Sequence, residues 1–424
     1  MRPRSEDKIR RLLEKGVEIP NPLTLDLGDE VRVERISGSG VKIFPGCRIY
    51  GAETVLSGGA QIGYEAPVTI ENCQIGPSVE LRGGFFKESV FLERSSMGSG
   101  AQIREGCILE EQAGGAHCVG LKQTILFPFV TLGSLINFCD CLMAGGTSRK
   151  DHSEVGSSYI HFNFTPDGDK TTPSLIGDVP RGVMLRERPI FLGGQGGMIG
   201  PLRVNYGNVV AAGTILRNDV TAEDRLVIGK EWRESSAAFT PLLYQGLPRL
   251  VGNNLLYLAN LAALREWYVH VRRPLAFTGE FGELIYQGAL RKVGLAVRER
   301  TGRLLGLARK MDASLRLNSP DSRAALMKKE LRERMEGVCD LFSGESSPPT
   351  AVEGRERFLD RLQEHAQERV KGTYTELIQG LPDEAARLGT EWLQKVVSEL
   401  CFRAGEMMPS LEVFQRERAG IKGG

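Results

Sequence analysis

"KIFPGCRIYGAETVLSGGAQIG", spanning Lys42–Gly63, carries aliphatic residues at Ile43, Ile49, Val55 and Ile62, in steps of six, six and seven. An α-helix needs apolar spacings of three and four, and a simple strand alternates by two, so neither explains the step. A coil of short flat strands joined by sharp corners does. Each strand with its corner takes about six residues, one aliphatic side chain per strand points inward, and glycine or a small polar residue makes the turn. Three strands close one triangular coil, and stacked coils bury a continuous aliphatic ladder.

The same step recurs at Val68, Ile75 and Leu81, and again at Met97, Ile103 and Leu109. Glycine often follows the aliphatic residue, as in "QIG" at 61 and 74, "TLG" at 131, "EVG" at 154, "LIG" at 175, "FLG" at 191 and "MIG" at 198. Strands of a β-sandwich do not keep such a step. The pattern predicts a parallel β-helix over residues 30–230, preceded by an N-terminal helical arm over residues 1–29.

Beyond this point the grammar changes. "EWRESSAAFTPLLYQGLPRL" has the proline breaks of a connector, and "GNNLLYLANLAALREWYVHVRRPL" then sets Tyr257, Leu261, Leu264 and Tyr268 on one helical stripe. Further helical patterns follow around Phe281–Leu315, Asp321–Phe342, Arg355–Val370 and Asp383–Arg403, with a linker-like "SGESSPPTAVEG" among them. Residues 231–424 are therefore expected to form an α-helical domain, giving a mostly β fold with an α-helical second half. The basic residues in "RRPLAF" and "RKVGLAVRERTGRLLGLARK" read as solvated helix faces.

Composition agrees with two units. The chain has 424 residues, too many for one typical compact core, and most of its 51 glycines fall in the first half. A net charge of +1 argues against an overall preference for nucleic acid. Apolar runs are too short and broken to span a bilayer, and "MRPRSEDKIRRLLEKG" has no apolar signal core. The eight cysteines form no C-x-x-C pair, so free thiols in a cytoplasmic protein are expected, with no metal site.

"SSYIHFNFTPDGDK", Ser157–Lys170, interrupts the six-step with polar groups that a buried ladder cannot present. Together with "LLEKGVEIPNPLTLDLG", "QIREGCILEE", "GLKQ" and "FLGGQGGMIGPLRVNYGNVVAAGTILRND", it carries a resemblance. The first 230 residues resemble the left-handed β-helix family of hexapeptide acyltransferases, in particular the acetyltransferase half of the bacterial bifunctional enzyme that makes UDP-N-acetylglucosamine. The nucleotidyltransferase half of that enzyme has no counterpart in the match, and neither has the helical half of this chain.

The resemblance implies roles. Arg104 and Lys122 match cations that hold the sugar phosphate or sugar nucleotide, which suits their chemistry. Asn163 matches an asparagine at the acceptor, Lys170 a lysine that follows it, and Asn137 stands in place of a sugar-binding tyrosine. Acetyl-CoA is the implied acyl donor, its arm lying along Ser157, Gly194 and Ala212. Ser134 stands where the family has its general-base histidine, and Gly120 where it has a glutamate. A serine cannot accept a proton unaided at neutral pH.

Five histidines exist: His117, His152, His161, His270 and His365. His152, beside Asp151 and Glu154, and His161, taken to share the inward or outward sense of Asn163 and so to face the same cleft, are the candidate replacements, and both stay open. Two functions follow. One is a coenzyme A-dependent acyltransferase acting on an amino group of a sugar phosphate or nucleotide sugar, as a homotrimer whose loops at Thr147–Ser153 and Pro166–Lys170 reach a neighbour. The alternative is a sugar-nucleotide-binding or regulatory protein, without turnover, that partners a nucleotidyltransferase.

Overall fold

The computed structural model describes residues 4–229, 236–344, 349–368 and 372–414. The expected boundary at 230/231, the start of the connector and some of the "SGESSPP" linker lie outside the described residues.

Short parallel strands build three flat sheets. One runs for ten strands from Asp26–Leu27 to Ile215–Leu216, a second for ten from Lys42–Ile43 to Leu226–Val227, and a third for eight from Val55–Leu56 to Arg203–Val204. Successive strands of the chain visit the three sheets in turn, which is the parallel β-helix expected from the six-step. Inside it, residues of equal position stack. Ile49, Ile70, Phe86, Ile103, Leu121 and Phe138 pair in register as one inward column, and all are buried. The helix Glu6–Lys15 closes the first coil, burying Ile9 and Leu12, while Lys15 Nζ donates to the Ile36 carbonyl at 2.5 Å. An exposed end of the ladder would otherwise face water.

The three faces differ outside. On the face beginning at Lys42 the outward column is polar, with Gln61, Glu80, Ser96, Gly114, Thr131 and Glu154 in register. On the face beginning at Val55 the outward column is Val55, Gln74, Val90, Ile108, Ile125, Leu142 and Leu175, and every one is buried, so at this strand the inward rung of the ladder is Leu56, stacked on Ile75, and not Val55. Helices cover it. The helix Gly282–Leu315 runs along one edge of this face, its Arg291, Lys292, Arg300 and Lys310 meeting Glu53, Glu88, Asp140 and the Asp167 carbonyl in order along the stack. At 34 residues it is about 50 Å long, the rise of roughly ten coils. The helices Leu247–Trp267 and Asp383–Met407 pack behind the short helix Val179–Gly182, and Trp267, Phe358 and Trp392 stack at their centre. One hydrophobic core runs without a break from the coils into the helices.

The helical patterns appear as helices at Leu247–Trp267, Gly282–Leu315, Arg323–Ser343, Val352–Glu368 and Asp383–Met407. The reading of the basic stretches as solvated faces needs correction at three residues. Arg273 is exposed, but Arg272 is buried against Glu110 (2.7 Å) and Glu111 (2.8 Å), Arg300 is buried against Asp140 (3.0 Å), and Lys292 is buried 3.9 Å from Glu88. Each guanidinium lies where a helix meets carboxylates at a coil corner, so the pairs fasten the two halves.

Candidate functional site

The face that begins at Asp26 is free of helices, polar around Arg104, Lys122 and Asn137 and apolar farther along at Ile160 and Phe162, and most of the candidate residues lie on it or at its edges. Along one edge Arg104 and Lys122 follow in register on adjacent coils, next after the paired Ile103 and Leu121. Glu105 sits between them, 2.7 Å from Lys122 Nζ and 3.7 Å from Arg104 Nε. Burial works against the Glu105 charge, but the bond from Lys122 and the two nearby cations prevail and hold its carboxyl below the usual range. Three charges leave one net positive, and the Arg104 side chain, 58% exposed, keeps donors turned to solvent. Arg can present two of them to one phosphate.

Asn137 lies mid-face and exposed, paired with Gly120 on the coil below. A Cβ on Gly120 would meet nothing closer than 3.7 Å, so the glycine leaves open space between Asn137 and the cations. Cys139 adjoins Lys122, but burial and then Asp140 push its thiol up to about 11, so it is not a thiolate at neutral pH. Asn163 is exposed where the polar loop leaves this face, and its Oδ1 accepts from Thr172 at 2.8 Å. Lys170 ends the loop, exposed, with a left-handed backbone (φ 52°).

The other edge is a corner column. Ser134, Ser157, Gly194 and Ala212 each lie three residues beyond a strand residue of one paired column, Thr131, Glu154, Phe191 and Val209. The Ser134 backbone N–H donates to Ser157 Oγ at 3.1 Å. Coil packs on coil here with no room to spare. A Cβ at Gly156 would lie 2.3 Å from the Gly194 nitrogen, and one at Gly193 2.4 Å from the Ala212 nitrogen. The result is a shallow track of backbone and small side chains.

Two candidates fall away. His161 belongs to the inward column, paired with Met198, and is 4% exposed with Nε2 2.8 Å from Ser174 Oγ. Burial, then Arg300, depresses it to about 3, so it stays neutral and no acceptor reaches it. The expectation that it shares the sense of Asn163 is wrong because the strand ends at Phe162, so the alternation that turns Ile160 and Phe162 out and His161 in does not reach Asn163, which is already in the exposed loop. His152 lies on the hairpin Gly146–His152, at the corner between the helix-covered face and the Lys42 face, 4.0 Å from Glu154. It is not brought to the open face.

The two loops expected to reach a neighbour are tied to their own chain. Arg149 donates to the carbonyls of Gln112 and Phe129, Gln379 to that of Thr147, and Lys310 to that of Asp167. The residue that sequence reasoning passed over is His117. It stands one coil below Ser134 in the same column, exposed, with Nδ1 2.9 Å from Ser134 Oγ. The coil is 17 residues long here, since Gly114 pairs with Thr131, so counting back one coil from Ser134 lands on His117.

Over half of its length the chain is similar in sequence to the bifunctional GlmU proteins. It is 28% identical over 214 residues to that of Thermotoga maritima, 26% over 229 residues to that of Fervidobacterium nodosum, and 25% over 233 residues to that of Pseudomonas putida. These matches take in 50–54% of this chain and only 42–45% of each relative, so the chain spans less than half the length of the proteins it matches. No family model matches it. Among solved structures, a UDP-N-acetylglucosamine acyltransferase from Campylobacter jejuni aligns over 75% of this chain and 93% of its own, at 12% identity and a TM-score of 0.16. That likeness adds nothing to what the strand ladder establishes. The sequence similarity to GlmU proteins covers the part of the chain that forms the parallel coils. Among the described residues there is no cluster suited to a metal ion, and no helix is long and apolar enough to cross a membrane.

Proposed function

We propose that this chain is a coenzyme A-dependent acyltransferase that acylates an amino group of a sugar phosphate or nucleotide sugar. One observation carries the reading: a single open face has Arg104 and Lys122 at one edge, Asn137 between, and the Ser134–Ser157–Gly194–Ala212 column at the other. The edges lie on the order of 10–15 Å apart, a strand plus a corner. The cations take the phosphate, Asn137 and Asn163 orient the sugar, and the pantetheine of acetyl-CoA lies along the small-residue column. The amine is itself the nucleophile.

Exposed apolar residues flank the same column, with Leu135, Ile160 and Phe162 on one side and Phe191, Val209 and Leu226 on the other. They suit a homotrimer in which prisms meet along the two faces free of helices, in the cytoplasm. A sugar-nucleotide-binding protein that serves a nucleotidyltransferase is the second reading, favoured by the serine at position 134.

Thermal shift with acetyl-CoA, coenzyme A, UDP-N-acetylglucosamine and glucosamine 1-phosphate tests the first reading, because a ligand that binds only the native state raises its midpoint. Turnover is followed by loss of thioester absorbance, since the exposed Cys118 would react with a thiol reagent. Binding of the sugar nucleotide without any consumption of acetyl-CoA selects the second reading.

A further inference from the structure

A hydroxyl becomes a competent proton acceptor only when a base stands behind it, and the structure supplies one at a single point of the open face's edge. Ser134 Oγ lies 2.9 Å from His117 Nδ1, a hydrogen-bond distance. The contact follows from the coils, because the two residues hold the same position on adjacent turns and the Leu135 N–H donates to the His117 carbonyl at 3.0 Å. Ser134 is held from the other side as well, its N–H bonded to Ser157 Oγ. The hydroxyl therefore stands between His117 on one coil and the small-residue track on the next.

Other histidines cannot serve. His161 is sealed in the ladder, and His152 lies at another corner. His270 is on the helical side, within 3.4 Å of Glu266, and His365 is buried in the helix Val352–Glu368. Among the described residues no carboxylate bonds to the Ser134 hydroxyl or the His117 ring, so the pair is a two-member relay.

Resting on the acyltransferase reading, we propose that Ser134 and His117 form a proton relay, in which Ser134 touches the acceptor amine and His117 acts through it. As the amine nitrogen forms its bond to the thioester carbon, its proton passes to Ser134 Oγ and the serine proton passes to His117 Nδ1. The carbon–sulfur bond then breaks, and the departing thiolate takes up a proton from the imidazolium, directly or through water. An amide and a free thiol are formed, the serine and imidazole return to their starting states, and no covalent enzyme intermediate arises. His117 must begin with Nδ1 unprotonated and the proton on Nε2, the tautomer in which it accepts from Ser134.

The test compares the full chain with His117→Asn, His117→Gln and Ser134→Ala, using acetyl-CoA and amino-sugar phosphate acceptors. The contact between the two side chains is exposed, so thermal midpoints should stay near that of the unaltered chain and report any misfolding separately. Loss of a general base costs on the order of a hundredfold to ten-thousandfold in rate. The relay predicts a fall in kcat of that size for all three variants, KM changing less than threefold or so, and loss of the acid limb of the pH–rate profile. A His117→Asn, Ser134→Ala double variant should be no slower than either single one, as expected of groups that act as a unit. Active wild-type protein with His117→Asn retaining half its kcat and an unchanged profile overturns the relay and leaves the transferase reading intact. Wild-type protein that consumes no acetyl-CoA with any acceptor overturns both.

Discussion

Glu110 and Glu111 leave a coil corner together, and both turn to the one guanidinium of Arg272. Tyr268 donates to Glu110 Oε1 at 2.7 Å, and Tyr374 lies beneath the guanidinium. All three charges are buried, so two carboxylates share one cation where water cannot help. Burial first, with Glu111 adding to it, lifts Glu110 to about 7. The native state thus binds a proton more tightly than the unfolded chain, whose carboxyl titrates near 4.5. Stability from this group is full below about 4.5 and is lost as pH rises through about 7. Urea unfolding from pH 5 to 8 should show that fall in the natural chain, and Glu110→Gln should flatten it. Arg272→Met strands both carboxylates and should cost about 3–5 kcal/mol, read as a lower urea midpoint. Such a residue is not legible in sequence, where "RRPL" looks like any basic helix end and only the fold separates Arg272 from Arg273. At the open face the reverse holds. Arg104, Lys122 and Asn137 are spaced by whole coils and strand steps, so their shared face can be counted from the sequence. The inward place of His161 needs the same count, since its neighbours Ile160 and Phe162 take the outward positions.

Coils spaced at about 4.8 Å tolerate side chains at a corner only where the next coil leaves room. At Gly193 it leaves none, the Ala212 nitrogen and Ala211 carbon both lying within 2.6 Å of a would-be Cβ. Backbone cannot swing aside as a side-chain tip does. Gly193→Ala should therefore force adjacent coils apart and destabilise by about 1–3 kcal/mol, the usual cost of overpacking, seen as a lower thermal midpoint. The same change at Gly213, whose Cβ would meet nothing within 4 Å, is limited to the strain of its left-handed backbone (φ 73°) and should cost less than about 2 kcal/mol. A midpoint for Gly193→Ala equal to that of the natural chain would show that the coils yield. The six-step announces that corners exist and that small residues fill them. It does not say which corner is crowded, because crowding depends on the coil above rather than on the neighbours in sequence.

Across the whole molecule the strands of the helix-covered face carry a signal that the six-step alone does not. The first seven read "VL", "QI", "VF", "IL", "IL", "CLM" and "SLI", apolar at nearly every position, and only the last, "RV", opens on a charge, whereas those of the Lys42 face begin "KI", "QI", "EL" and "SM" and alternate. A strand buried on both sides loses its alternation. The helical patterns far along the chain give no hint of which face they cover, since amphipathic stripes fix what is buried and not against what. The helices thus occupy one side of the prism and leave the open face and the Lys42 face for other copies or ligands. Residues 1–229 alone would bare Val90, Ile108, Ile125, Leu142 and Leu175 as one continuous apolar column, the kind of patch that drives association. That fragment should elute as aggregate in size-exclusion chromatography with light scattering, while the full chain gives a defined species. Adding Ile108→Lys and Ile125→Lys to the fragment should recover soluble material, and the same pair in the full chain should unseat the helices and lower its stability. A fragment that remains monodisperse without those changes would mean that the helices lie on the coils without being needed to cover them.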